Sequence, residues 1–318
     1  MAPDCPRIEV HDGLPLDQRE CFSLLLELTL AFDERAQRVC LIGGWAVYAL
    51  TEVFMAQRGS WPLRHRGSLD IDLAIGSTSV SADEAEAMAE TLRGLGYEGP
   101  ESFRWLRQVS APLPYYLDLM VLPPADHPRG PVTVGLYEFA PFWNGEAAFA
   151  DQRRIEVAGQ LPNGTPARAT LNVAGPAGLL VAKARAVVGL GRDQRAKHLY
   201  DVFALLRAYS DRPEDFAQEL TPLRGSEDLE IALDVLQVMF VEDDQGARLV
   251  AAMRATEGRP EDVLATEAQV TVRRFLRAAR ERGVWERRGL SWVEAVSAFA
   301  ENRPGSAAST RQGRRRRR

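Results

Sequence analysis

Leu69-Asp70-Ile71-Asp72-Leu73-Ala74-Ile75 decides how this chain reads. Leu69, Ile71, Leu73 and Ile75 alternate with Asp70, Asp72 and Ala74, the period of a strand with one buried face. Both carboxylates therefore leave the strand on the same side. Neighbouring carboxylates repel, and burying either one unpaired is costly. A hard divalent cation, usually Mg²⁺, relieves both problems. The pair thus points to metal-assisted phosphoryl or nucleotidyl transfer. A solvated acidic strand face is the plainer alternative, and the strongly apolar flanks weigh against it.

Upstream, Val39-Cys40-Leu41-Ile42 is a short apolar strand broken by Gly43-Gly44. Residues 45–56 resume with helical spacing (Val47, Leu50, Val53, Phe54). Glycines between a strand and a helix allow close backbone approach, and the N–H groups opening that helix can hold phosphate. An ordinary strand-to-helix turn has the same pattern. Residues 57–68 are basic and loop-like, with Arg58, Arg64, His65 and Arg66 among Gly59, Pro62 and Gly67. Residues 16–38 carry a helical pattern. Ser81 and Glu84 form a capping box that predicts a helix running to about residue 95, closed by Gly96.

A β-rich section follows. Residues 103–109 and 115–122 read as strands, and Asp118 sits within the second (Tyr115-Tyr116-Leu117-Asp118-Leu119-Met120-Val121-Leu122). An acid in such a run must be paired, protonated or metal-bound. Beside the first acidic strand, Asp118 would complete a three-carboxylate site able to hold two Mg²⁺ about 3.5–4 Å apart. There it could help deprotonate an acceptor hydroxyl. The alternative is an ion pair with Arg104 or Arg107. Residues 132–139 alternate weakly. Residues 153–157 and 167–173 are predicted to pair across Pro162-Asn163-Gly164, a tight-turn signal.

From Pro176 onward the pattern is helical: 176–189, 195–209, 226–241, 246–256, 265–282 and 291–299. The order predicts an α+β domain, a mixed sheet with flanking helices, over residues 1–174. A helical domain over 175–302 and a disordered basic tail over 303–318 follow. In the helical part, Lys183 lies on a small apolar helix face. Arg195, Lys197, His198 and Asp201 follow, with Lys197 and Asp201 on one face. Lys183 and Lys197 could meet triphosphate oxygens and Asp201 could orient a lysine. Ordinary surface ion pairs have the same spacing.

The 318 residues are 46% hydrophobic, as in a globular protein, and no apolar run reaches the length of a membrane span. The first residues do not read as a secretory signal. Cys5, Cys21 and Cys40 have no metal-like spacing and read as reduced thiols, so a cytoplasmic protein is expected. Net charge is −5, but Arg311 and residues 314–318 supply six positive charges, so the rest carries −11. Such a body does not grip nucleic acid by general electrostatics. The four histidines are too scattered for a zinc site. No P-loop and no serine-nucleophile elbow occurs.

Taken together, Ile42-Gly43-Gly44, Asp70-Ile71-Asp72 and Asp118 resemble the signature of the nucleotidyltransferase superfamily. Within it the chain looks most like the AbiEii/AbiGii-type toxins of bacterial type IV toxin–antitoxin systems. Lys183 matches that family's lysine helix. Arg195, Lys197 and Asp201 match its Arg-x-Lys-Asp-x-x-Asp segment, with His198 where the family usually has Asp. The resemblance covers roughly residues 39–210. It implies a nucleotidyltransferase-like sheet, with Asp70, Asp72 and Asp118 as metal ligands. Gly43, Gly44, Lys183, Arg195, Lys197 and Asp201 would lie around the nucleotide. The spacing departs from the family: 25 residues separate Gly44 from Asp70, where about ten are usual, and the excess is the basic segment near 57–68.

The implied reaction is Mg²⁺-dependent transfer of a nucleoside monophosphate from an NTP to an acceptor, with release of pyrophosphate. The related toxins act on tRNA acceptor ends, some relatives on protein, and a cognate antitoxin is an expected partner. A small-molecule, aminoglycoside-type nucleotidyltransferase shares the Gly-Gly and Asp-x-Asp core, and a non-catalytic binding protein could retain the fold. No membrane partner is expected.

Overall fold

A computed structural model describes residues 5–9, 13–32, 38–58, 65–76, 80–99, 103–110, 114–124, 127, 130–143, 145–189 and 192–301. The 303–318 tail and residues 59–64 of the basic segment lie outside the described residues. The chain divides into two compact units, Met1–Gly175 and Pro176–Arg318.

In the first unit the elements run β1 (Arg7–Glu9), α1 (Leu16–Phe32), β2 (Val39–Ile42), α2 (Gly43–Arg58), β3 (Asp70–Ile75), α3 (Ala82–Gly94) and β4 (Arg104–Arg107). They continue as β5 (Tyr115–Val121), β6 (Val132–Val134), β7 (Tyr137–Pro141), α4 (Glu146–Ala150), β8 (Arg153–Gln160) and β9 (Pro166–Val173). The strands form one mixed sheet in the order β1-β8-β9-β2-β3-β5-β7-β6, with β4 also paired to β5. This is the mixed α/β architecture expected of the first domain.

The alternation in β3 and β5 sorts their faces. Ile71, Leu73 and Ile75, with Tyr115, Leu117, Leu119 and Val121, are buried, whereas Asp70, Asp72, Tyr116 and Met120 keep partial access. Behind the sheet, Phe22 of α1 packs edge-on against Trp45 and Tyr48 of α2, at ring-centroid distances of 5.3 and 6.4 Å. Such aromatic pairs favour one helix orientation beyond their area burial. The capping box forms: Glu84 N–H donates to Ser81 Oγ at 3.2 Å, and Ser81 N–H donates to Glu84 Oε2 at 2.9 Å. The β8–β9 hairpin is longer than its sequence pattern suggests. Its strands pair from Arg153↔Val173 to Gln160↔Pro166, and the chain turns tightly over Pro162-Asn163-Gly164, where Leu161 N–H donates to Thr165 O at 2.9 Å and Gly164 N–H donates to Leu161 O at 2.8 Å. The weak alternation at 132–139 resolves into two short strands, β6 and β7.

The second unit is helical: α5 (Pro176–Gly189), α6 (Arg192–Ala208), α7 (Pro213–Glu219), α8 (Glu227–Gln237), α9 (Gln245–Met253), α10 (Glu261–Glu281) and α11 (Trp292–Glu301). Leu264, Ala268, Val272, Phe275, Leu276 and Ala279 form the buried stripe of α10 at helical spacing. Tyr209, Phe216 and Phe275 meet edge-on at 4.9 and 5.2 Å within this core. No helix among the described residues is long and apolar enough to cross a membrane.

Candidate active site

The sheet register brings the first unit's acids together. β3 and β5 run parallel, with Asp72 opposite Asp118 and Asp70 opposite Tyr116. Partners in register point to the same face, on strands about 4.8 Å apart. The opposite neighbour of Asp72 is Ile42, the last residue of β2. The antiparallel β2–β3 pairing thus places the Gly43-Gly44 turn directly beside the carboxylates.

Gly43 fits this position because it has no side chain. Its φ is +73°, and an added Cβ would lie 1.9 Å from Asp72 Oδ2. The left-handed conformation and the contact both exclude any other residue without rearrangement. Gly43 and Gly44 then open α2, whose first turn carries no acid. The end of the basic segment packs on the same turn. Gly67, at φ +76°, would meet the Trp45 indole at 2.6 Å if it carried a Cβ. Gly67 N–H donates to Nδ1 of buried His65 at 3.0 Å. Ser68 Oγ donates to Asp70 Oδ1. The long spacing between glycines and acids therefore ends in a segment that touches both.

Asp118 is buried, and its charge is balanced by Arg104. The guanidinium donates from Nε to Oδ1 at 2.7 Å and from Nη2 to Oδ2 at 2.6 Å, a bidentate fork. Arg104 lies opposite Asp118 in the antiparallel β4–β5 ladder. Asp72, Asp118 and Arg104 consequently form one row across β3, β5 and β4. The hydrogen bonds to Asp118 raise the guanidinium's proton affinity most. Burial opposes this, and the charges of Asp118, Asp70 and Asp72 add to it. Arg104 also lies over the Tyr116 ring, 5.0 Å from its centroid. Arg107 goes elsewhere, to Glu27 of α1. Of the two arginines the sequence left open for Asp118, the structure selects Arg104.

Among the described residues no group of three or more His, Cys, Asp or Glu side chains is arranged to hold a metal ion. The donor chemistry still suits one. Asp70 and Asp72 offer hard oxygens on one face, and Mg²⁺ commonly takes only one or two carboxylates, with waters and phosphates completing its shell. A cation already sits against this face, in the form of the Arg104 guanidinium.

In the helical unit, Lys183 of α5 donates to Asp201 Oδ2 of α6. Both side chains are almost wholly buried, 6% and 2% exposed. Asp201 thus holds Lys183 across two helices, whereas helical spacing suggested Lys197 as its neighbour. Lys197 and His198 are half-buried on α6. Arg195 stacks over Trp292 of α11 at 4.9 Å. Sequence reasoning missed Ser68 and Tyr116 as neighbours of the acids. Ser68 sits two residues before Asp70, the one local signal that could have found it.

No protein-family model, curated protein or solved structure matches this chain.

Proposed function

We propose that this chain is a Mg²⁺-dependent nucleotidyltransferase that moves a nucleoside monophosphate from an NTP to an acceptor and releases pyrophosphate. The observation that carries the reading is the adjacency, across β2, β3 and β5, of the Gly43-Gly44 turn to Asp72 and of Asp72 to Asp118. A phosphate-tolerant turn and carboxylates on one sheet face are what transfer from a triphosphate requires.

In this reading Asp70 and Asp72 hold Mg²⁺, which supplies charge neutralisation for the triphosphate and the departing pyrophosphate. The backbone N–H groups opening α2 face phosphate oxygens, aided by the helix dipole. Ser68 fixes the rotamer of Asp70. Asp118 accepts the proton of the acceptor hydroxyl once its oxygens are released. Lys183, oriented by Asp201, is assigned to the nucleotide with Arg195 and Lys197 by resemblance to AbiEii-type toxins. The same resemblance makes tRNA the leading acceptor class, with protein second and a cognate antitoxin as partner. The −11 charge outside the arginine-rich tail favours a second acceptor class, a cationic small molecule of aminoglycoside type.

The test is incubation with each labelled NTP, Mg²⁺, total tRNA and an aminoglycoside, followed by identification of the labelled species. Label on tRNA supports the toxin-like reading, and label on the aminoglycoside supports the second. Asp72→Ala should abolish labelling while preserving the circular dichroism spectrum. Labelling at the parental rate by that variant would refute the site.

A further inference from the structure

Resting on the nucleotidyltransferase reading, we infer that Arg104 is the resident countercation of this site and the residue that positions the triphosphate. It clamps Asp118 while the site is empty and passes to phosphate oxygens when a divalent cation takes its place.

The two partners are unequally buried. The Asp118 side chain is 7% exposed and that of Arg104 is 46% exposed. Here a half-exposed guanidinium reaches from a four-residue strand onto a buried carboxylate, so it can leave without opening the core. The row of charges across the three strands points the same way. Asp72 and Asp118 face each other across one strand spacing, and Arg104 follows on the next. A divalent cation drawn to Asp70 and Asp72 would stand close to a fixed positive charge, and the two repel. Departure of Arg104 removes that repulsion and frees both oxygens of Asp118. The triphosphate itself supplies a landing place. A bound triphosphate brings several negative oxygens to the same face, and a planar guanidinium pairs with phosphate as well as with carboxylate. The Tyr116 ring beneath the guanidinium supports it by cation–π attraction.

The exchange has a signature that a structural salt bridge lacks: loss of Arg104 should move metal affinity and triphosphate affinity in opposite directions. Mn²⁺ binding, read from the electron paramagnetic resonance signal of the free ion, is measured on the full chain with Mn²⁺ alone. It is then repeated with inorganic tripolyphosphate. Arg104→Met should bind Mn²⁺ alone about ten-fold tighter and Mn²⁺-tripolyphosphate about ten-fold weaker than the parent. Arg104→Lys keeps the charge without the fork and should lie between parent and Arg104→Met in both measurements. The inference is overturned if Arg104→Met leaves both affinities unchanged, or weakens both together as collapse of the site would. Asp72→Asn separates this from failure of the underlying reading. If it abolishes Mn²⁺ binding while Arg104→Met changes nothing, the metal site stands and the exchange is wrong. If it leaves Mn²⁺ binding at the parental level, the nucleotidyltransferase site fails and the exchange fails with it.

Discussion

Gly43→Ala tests whether the glycine turn and Asp72 form one packed unit. Two costs act together. A non-glycine residue at φ +73° pays about 1–2 kcal/mol for the left-handed conformation. The new methyl would also lie 1.9 Å from Asp72 Oδ2, so either the carboxylate or the turn must move. Overpacking of that kind costs about 1–3 kcal/mol. The sum, roughly 2–5 kcal/mol, corresponds to a fall of roughly 4–20 °C in Tm for a unit of this size. Gly44→Ala supplies the contrast. Its φ is ordinary, its Cβ would meet Ser68 Cβ at a tight 3.0 Å, and alanine gains about 1 kcal/mol of helix propensity over glycine. That variant should stay close to the parent. Differential scanning calorimetry of the three proteins reads the difference. Equal melting temperatures for Gly43→Ala and Gly44→Ala would show that the turn does not pack on Asp72 as described.

Lys183→Met should cost about 3–5 kcal/mol in urea unfolding, because it leaves the buried Asp201 carboxylate uncompensated. Adding Asp201→Leu should recover most of the loss, and a single variant as stable as the parent would contradict the pairing. Thiol reactivity should separate the cysteines. Cys5 is exposed, whereas Cys21 and Cys40 are fully buried, and burial pushes the Cys40 thiol up to about 12. Titration with a disulfide reagent should find one rapid thiol in the native protein and three in denaturant, and rapid reaction of Cys40 in the native state would be contrary. Burial raises the pKa of Asp234, outweighing its bonds to Arg288 and to Trp285 Nε1, the latter at 3.2 Å. The folded state then binds that proton more readily than the unfolded chain, so the group's contribution falls as pH rises from the ordinary carboxylate value through the raised one. Asp234→Asn should therefore be the more stable form at neutral pH and lose its advantage in acid, as urea midpoints across pH would show.

The strands that carry the acids were legible for different reasons: period-two alternation survives in Leu69–Ile75, and Tyr115–Leu122 is an apolar run interrupted by Asp118. Their register was not, because the partners in the parallel β3–β5 ladder, Asp72 and Asp118 among them, are far apart in sequence and neither strand marks which residue of the other it meets. That is why Arg104 and Arg107 could not be distinguished as partners of Asp118. They lie three residues apart, on opposite faces of β4, and only the ladder opposite Tyr115–Asp118 decides which one faces the acid. β1 leaves no signal in the sequence because three residues are too few to show a period; it exists by pairing in parallel along β8. The short helices α4 and α7 lack the length for an apolar stripe in the same way. Gly43-Gly44 was visible as a break, but its contact with Asp72 follows from Ile42 and Asp72 being opposite in the β2–β3 ladder. The Lys183–Asp201 contact depends on how α5 packs against α6, whereas spacing along α6 alone favoured Lys197.

The most direct measurement is a crystal structure of the full chain with Mg²⁺ and a non-hydrolysable NTP analogue. A cation about 2.1 Å from carboxylate oxygens of both Asp70 and Asp72, with triphosphate oxygens at the Gly43-Gly44 turn, is the expected result. Nucleotide bound elsewhere, with no cation on Asp72, would contradict it.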